Sequence, residues 1–190
     1  LLRVFQEIRG ERKIFLFLIA FFFYIDGVYT IIDMATAFGS ALGFTSTTLL
    51  LALLLTQIVA FPCALLFGWL APKYENGTLI RICIVAYGAI ALFAVQLDKS
   101  WEFWFLAVCV GMFQGGIQAL SRAYFAKIIP AEKSGEYFGL YDIFGKGAAF
   151  MGTTLVGFGA QLTGSLNIGV SVIFVLFVIG FLLFEKAVRA

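Results

Sequence analysis

Along the chain, runs of roughly 20 apolar residues alternate with short breaks rich in charge, glycine and proline. A helix needs about 20 such residues to cross the ~30 Å hydrocarbon core of a bilayer, so each run predicts a membrane span. Six are expected, at about 14–37, 47–70, 79–97, 102–128, 136–162 and 166–184. The breaks carry turn signals, for instance Gly39-Ser40-Ala41-Leu42-Gly43, Pro72-Lys73-Tyr74-Glu75-Asn76-Gly77, Asp98-Lys99-Ser100 and Ile129-Pro130-Ala131-Glu132. None is long enough for a soluble domain, so residues 1–190 read as one all-α, six-transmembrane-helix bundle. The first run is no signal peptide: it is about 24 residues long and contains Asp26 and Asp33, whereas a signal core has about 7–15 apolar residues and no acids.

Composition agrees. The 190 residues are 62% hydrophobic and 13% charged, against roughly 45–50% and about 25% in soluble domains. Such a chain must bury its outside in lipid, and the 23 Phe exclude disorder. There is no His, which removes several catalytic and metal schemes. Cys63, Cys83 and Cys109 lie far apart in apolar runs and read as small buried hydrophobes. No catalytic residue, metal, cofactor or nucleic-acid partner is expected. The first residue is Leu1 where an open reading frame starts with Met, so a fragment is expected.

Charge gives an orientation. With the N-terminus in the cytoplasm, eleven of the 13 Lys and Arg fall on that side: Arg3, Arg9, Arg12, Lys13, Lys73, Arg81, Arg122, Lys127, Lys133, Lys186 and Arg189. Lys99 lies in an outer turn and Lys146 within the fifth span. The expected location is a bacterial inner membrane, with both termini cytoplasmic.

Polar residues inside spans are costly and tend to face a bundle interior or a water-filled path. They are unevenly spread. The first, second, fourth and fifth spans carry them, which marks those four as cavity-lining and leaves the third and sixth as scaffold. Asp26 and Asp33 are seven apart, hence on one helical face, with Tyr29 and Thr30 on or beside it. Asp26 lies near the midplane, where it could take up and release a proton during transport; alternatively it has a fixed partner and only specifies packing. Asp33 lies nearer the outer surface. Gln57 is the amide of the second span, and Gln114, Gln118, Ser121 and Arg122 form a stripe on the fourth. Asp142 and Lys146, at i and i+4, either pair within the fifth helix or release one another to join Arg122 in an inner gate or to bind a charged solute group.

The run from Gly115-Gly116 through Gln118, Ser121-Arg122, Tyr124 and Pro130, then Glu132-Lys133-Ser134-Gly135-Glu136-Tyr137-Phe138-Gly139 and Tyr141-Asp142, ends at Gly145-Lys146. It resembles the carboxy-terminal half of major facilitator superfamily transporters of the vacuolar-effluxer-like, autophagy-related family. Gly68, Leu70, Ala71, Lys73 and Gly77 resemble the superfamily's loop signature, with Pro72 where an Asp is usual. The resemblance implies a twelve-helix fold of which this chain is helices seven to twelve, a 3+3 helix repeat. It also implies a cavity between the first, second, fourth and fifth helices of each half. Eukaryotic relatives are associated with efflux of neutral amino acids from the vacuole.

The leading expectation is therefore part of a secondary active transporter that moves a small polar solute, an amino acid among the candidates, with proton coupling as an option. Its partners would be the lipid bilayer, the solute, and either a missing N-terminal half or further copies of the fragment. The alternative is a non-transporting or pore-forming homo-oligomeric subunit. A membrane-embedded enzyme has little support, since no HExxH or GxGD motif is present.

Overall fold

The computed structural model describes residues 7–41, 43–97, 99–164 and 166–190, without the side chains of 163 and 166–170. Leu1, Arg3, Leu42 and Asp98, used above, lie outside the described residues. Among the described residues six long helices follow one another: α1 (Arg12–Ala41), α2 (Ser46–Leu70), α3 (Asn76–Ala94), α4 (Ser100–Ile128), α5 (Ser134–Thr163) and α6 (Leu166–Arg189). A short 3-10 turn, Ala131–Lys133, joins α4 to α5.

Among the described residues, five stretches are long and apolar enough to cross a membrane, namely Arg12–Ala41, Ser46–Leu70, Asn76–Val95, Ser100–Ile128 and Ser171–Arg189. The protein is thus an all-α, multi-pass integral membrane protein. Six spans were expected, and α5 is the long helix that does not qualify. It has the length, but Glu136, Asp142, Lys146 and a run of glycines dilute its apolar character.

Helix ends follow local chemistry. The Thr48 N–H donates to Thr45 Oγ1 at 3.3 Å ahead of α2, and at the start of α4 Glu102 accepts from the Lys99 N–H at 3.2 Å. Ile129 is extended because the next residue is Pro130, which ends α4. After α5, Gly164 takes a left-handed φ of 68° and its N–H bonds the Ala160 carbonyl at 2.9 Å, a conformation open to glycine without a side-chain penalty.

The central helix is α1, packed on α6 and α5 and more lightly on α4. α2 packs on α4, while α3 packs on α4 and α6. Backbones come close where side chains vanish: a Cβ on Gly180 would lie 2.9 Å from the Tyr24 nitrogen, and one on Gly111 would lie 2.6 Å from the Thr56 carbonyl oxygen. Facing outward, α2 exposes Leu50, Leu54, Ile58, Phe61 and Leu65, the surface expected of a helix solvated by lipid or by further membrane helices. α4 and α5 barely touch, although only a short loop separates them in sequence. The gap between them is the cavity described next.

Candidate solute cavity

Three helices wall a cavity of about 690 Å³. α1 contributes Phe21, Ile25, Tyr29 and Asp33, an unbroken i, i+4 row. α4 contributes Gly115, Gln118, Ala119 and Arg122, and α5 contributes Tyr141, Asp142, Gly145, Lys146 and Ala149. Its aromatic part is fixed by stacking: Phe21 and Tyr141 have ring centroids 4.1 Å apart, and Tyr141 stacks in turn on Phe125 at 5.0 Å. α5 rests against Phe21 at Gly145, where a Cβ would stand in ordinary contact, 3.5 Å from that ring.

Across the cavity Arg122 on α4 reaches Asp142 on α5 at 3.3 Å. The guanidinium also lies over Phe138, 4.8 Å from its centroid, and 6.0 Å from that of Tyr141. Both charged side chains are about half exposed, at 57% and 50%, so the pair is screened and easily exchanged for other partners. The sequence left Asp142 with two options, and it takes the interhelical one. Lys146 therefore stands in the cavity with no ion pair among the described residues. Asp33 lies on the α1 wall, a carboxylate with no ion pair among the described residues.

Of the ten residues singled out from the sequence, the structure brings six together here: Tyr29, Asp33, Gln118, Arg122, Asp142 and Lys146. Four lie elsewhere. Gln57 is exposed on α2, which does not reach the cavity. Gln114 is half-buried, with an Oε1 that is shielded and unpartnered. Asp26 and Thr30 are fully buried between α1 and α5; the Gly152 N–H donates to Asp26 Oδ1 at 2.7 Å and Thr30 Oγ1 donates to it at 3.4 Å. The reason is geometric. Positions seven apart align along a helix axis, but the cavity follows the inclined i, i+4 row of α1, and α5 crosses over Asp26.

The sequence reading missed Phe21, Ile25 and Tyr141. Extending the i, i+4 row back from Asp33 through Tyr29 would have found the first two. The signal for Tyr141 is its place next to Asp142. Beyond the spans, the Lys133 ammonium donates to Glu7 at 2.7 Å, tying the segment ahead of α1 to the α4–α5 loop. That bond raises the Lys133 pKa above the usual lysine value of 10.5. Among the described residues no group of three His, Cys, Asp or Glu side chains is placed to hold a metal ion.

A second cavity, of about 80 Å³, lies between α1, α2 and α4 and is lined by apolar groups such as Leu49, Ala52 and Phe103. Its Thr56 hydroxyl already faces the Ala52 and Ala107 carbonyls, so it offers a solute little polar recognition.

A charged cavity in an apolar bundle, together with the α4–α5 sequence that borders it, frames the comparison with known proteins. The family model described as vacuole effluxer Atg22 like matches residues 1–189. The chain belongs to that family. An uncharacterized MFS-type transporter, YxiO, of Bacillus subtilis is 47% identical over 175 residues, covering 92% of this chain and 41% of that protein. Autophagy-related protein 22 of Saccharomyces cerevisiae is 32% identical over 165 residues, covering 80% of this chain and 31% of that protein. Autophagy-related protein 22-2 of Aspergillus niger is 26% identical over 184 residues. The chain thus spans well under half the length of these Atg22-like relatives.

Proposed function

We propose that this chain is the C-terminal six-helix half, a 3+3 repeat, of a secondary active transporter that moves a small polar solute by alternating access. The observation that carries the reading is the cavity itself. In lipid, polar side chains are retained where they line a path or a site, and here seven of them from three helices converge on one space. That space lies between two helices that do not close on each other, as a half-site completed by other chain would. Support also comes from the relatives, whose names describe a transporter and an autophagy-related protein and whose length leaves room for a second bundle. No enzyme reading is proposed.

Within the cavity, and among the described residues, Lys146 is the cation and Asp33 the anion without an ion pair, while Arg122 and Asp142 neutralise one another. A solute carrying both charges, an amino acid being the simplest, would find a partner for each end, one of them shared with the other half. We propose efflux of such a solute, with a proton as coupling ion, across a bacterial inner membrane with both termini of this chain in the cytoplasm. The clustering of Arg9, Arg12, Lys13, Lys73, Lys133, Lys186 and Arg189 at helix ends on one side of the chain's layout supports that orientation. α5 completes the sixth crossing, with Tyr141, Asp142 and Lys146 turned to the cavity.

Flux through liposomes tests the reading. The full-length protein containing this chain is reconstituted and offered a panel of amino acids under an imposed pH gradient. Saturable uptake that responds to the gradient and falls with Lys146→Gln is expected. Non-saturable ion current would favour a pore formed by several copies, and the absence of any solute flux would sink the proposal.

A further inference from the structure

Behind the cavity wall lies a carboxyl group that the cavity does not reach. Asp26 is fully buried in the seam between α1 and α5, its Oδ1 held by the Gly152 N–H and the Thr30 hydroxyl. Its Oδ2 is equally shielded and has no hydrogen-bond partner. The contact depends on Gly152: a Cβ there would overlap Thr30 Oγ1 and stand 2.5 Å from Asp26 Oδ1.

Among the described residues no cation answers the acid. α6, packed along α1, has no titratable side chain from Val172 to Phe184. On α5 the charged neighbours are Asp142 and Lys146, which face the cavity, and on α4 Arg122 is paired with Asp142. α3 places Cys83 and Tyr87 in the core and its Arg81 on Glu185, while α2 carries no charge. On α1 itself Tyr24 bonds Ser121, and Tyr29 and Asp33 line the cavity. An ionised Asp26 would carry a full charge with no counter-cation in an apolar seam, whereas the protonated acid leaves only a neutral hydroxyl unpaired.

We propose that Asp26 is a proton-binding site gated by the α1–α5 seam. It keeps its proton while Gly152 covers it. When α5 moves off α1, water enters from the cavity beside Tyr29 and Ala149, each one helical turn away; the carboxyl O–H breaks and the proton passes to that water, leaving a carboxylate. The inference rests on the transporter reading above and adds where the coupling proton sits and what opens its path.

The test uses the full-length protein in liposomes and dicyclohexylcarbodiimide, which adds to protonated carboxyls in apolar surroundings, with the Asp26 peptide read by mass spectrometry. Wild-type Asp26 should label slowly, Gly152→Ala about tenfold faster because the added methyl overpacks and loosens the seam, and both less as pH rises. Equal rates in the two proteins overturn the gate, and labelling indifferent to pH overturns the proton site. Should Gly152→Ala fail to fold, hydrogen exchange in the wild type serves. Amides around Gly152 should exchange faster at alkaline pH than their intrinsic rates explain, and this excess should vanish in Asp26→Asn; an excess that survives the substitution overturns the proposal. Solute flux with Asp26 unlabelled removes this site and leaves the transporter standing, while gated labelling in a protein that moves no solute does the reverse.

Discussion

Tyr24 and Ser121 make the sharpest stability prediction, because the two ends of their hydrogen bond are not equivalent. Both residues are fully buried where α1 meets α4, with Tyr24 Oη 2.7 Å from Ser121 Oγ. Ser121 in turn donates to the Ile117 carbonyl at 2.6 Å, so its single hydrogen is committed and Tyr24 is the donor between them. Tyr24→Phe therefore removes a donor and leaves Ser121 bonded. One net hydrogen bond is lost, about 0.5–1.5 kcal/mol, at the lower end if membrane-protein averages of ~0.6 kcal/mol apply. Ser121→Ala instead strands the Tyr24 hydroxyl in the core without an acceptor, which costs about 1–3 kcal/mol. With both changes nothing is stranded, and the double variant should be close to Tyr24→Phe alone, well short of the sum. Unfolding free energies in mixed micelles, measured on all four proteins, check the cycle. Strictly additive losses, or Tyr24→Phe costing more than Ser121→Ala, would refute the assignment of donor and acceptor and with it the α1–α4 contact beside the cavity.

Other consequences are quicker to test. Gly111→Ala should lower the melting temperature, since its Cβ would press on the Thr56 backbone carbonyl between α2 and α4, whereas Gly139→Ala, with open space around it, should hold or raise it slightly through helix propensity. Asp142→Asn should change thermal stability by less than ~1 kcal/mol, because the pair with Arg122 is half exposed, yet should lower solute flux; an exchanged pair, Arg122→Asp with Asp142→Arg, should recover part of it. The Glu7–Lys133 tie raises the Lys133 pKa, so its contribution is present below the ordinary lysine value of 10.5 and is lost as pH rises through the elevated one. Melting curves of wild type and Lys133→Gln should therefore differ at neutral pH and low salt and converge at strongly alkaline pH.

Membrane character was legible in the sequence because the apolar runs are as long as a bilayer requires, and the family was legible because the stretch from Gly115 to Lys146 carries so many of its characteristic residues. Depth and type of residue also pointed to Arg122, Asp142 and Lys146. What could not be read was which helices turn toward one another. Gln57 looked like a cavity residue by chemistry alone, but α2 is apolar on nearly every side and nothing in its pattern says that Gln57 faces out. Asp26 shares an axial line with Asp33, yet α5 crosses α1 obliquely and covers one while leaving the other open. Asp142 had partners of opposite charge on its own helix and on α4, and only the tertiary gap decides for Arg122. Periodicity reports faces of single helices; crossing angles come from side-chain ridges that one sequence does not reveal.

The central claim is that solute reaches the α1–α4–α5 cavity from one side of the membrane at a time. Cysteine accessibility addresses it most directly: Gln118→Cys is placed on the cavity wall of the full-length protein, with Cys63, Cys83 and Cys109 replaced by Ala, and a membrane-impermeant maleimide is applied to either side of proteoliposomes. Labelling from one side, shifted or slowed when a transported amino acid is added, is the expected result. Equal labelling from both sides regardless of solute, or none from either, would contradict it.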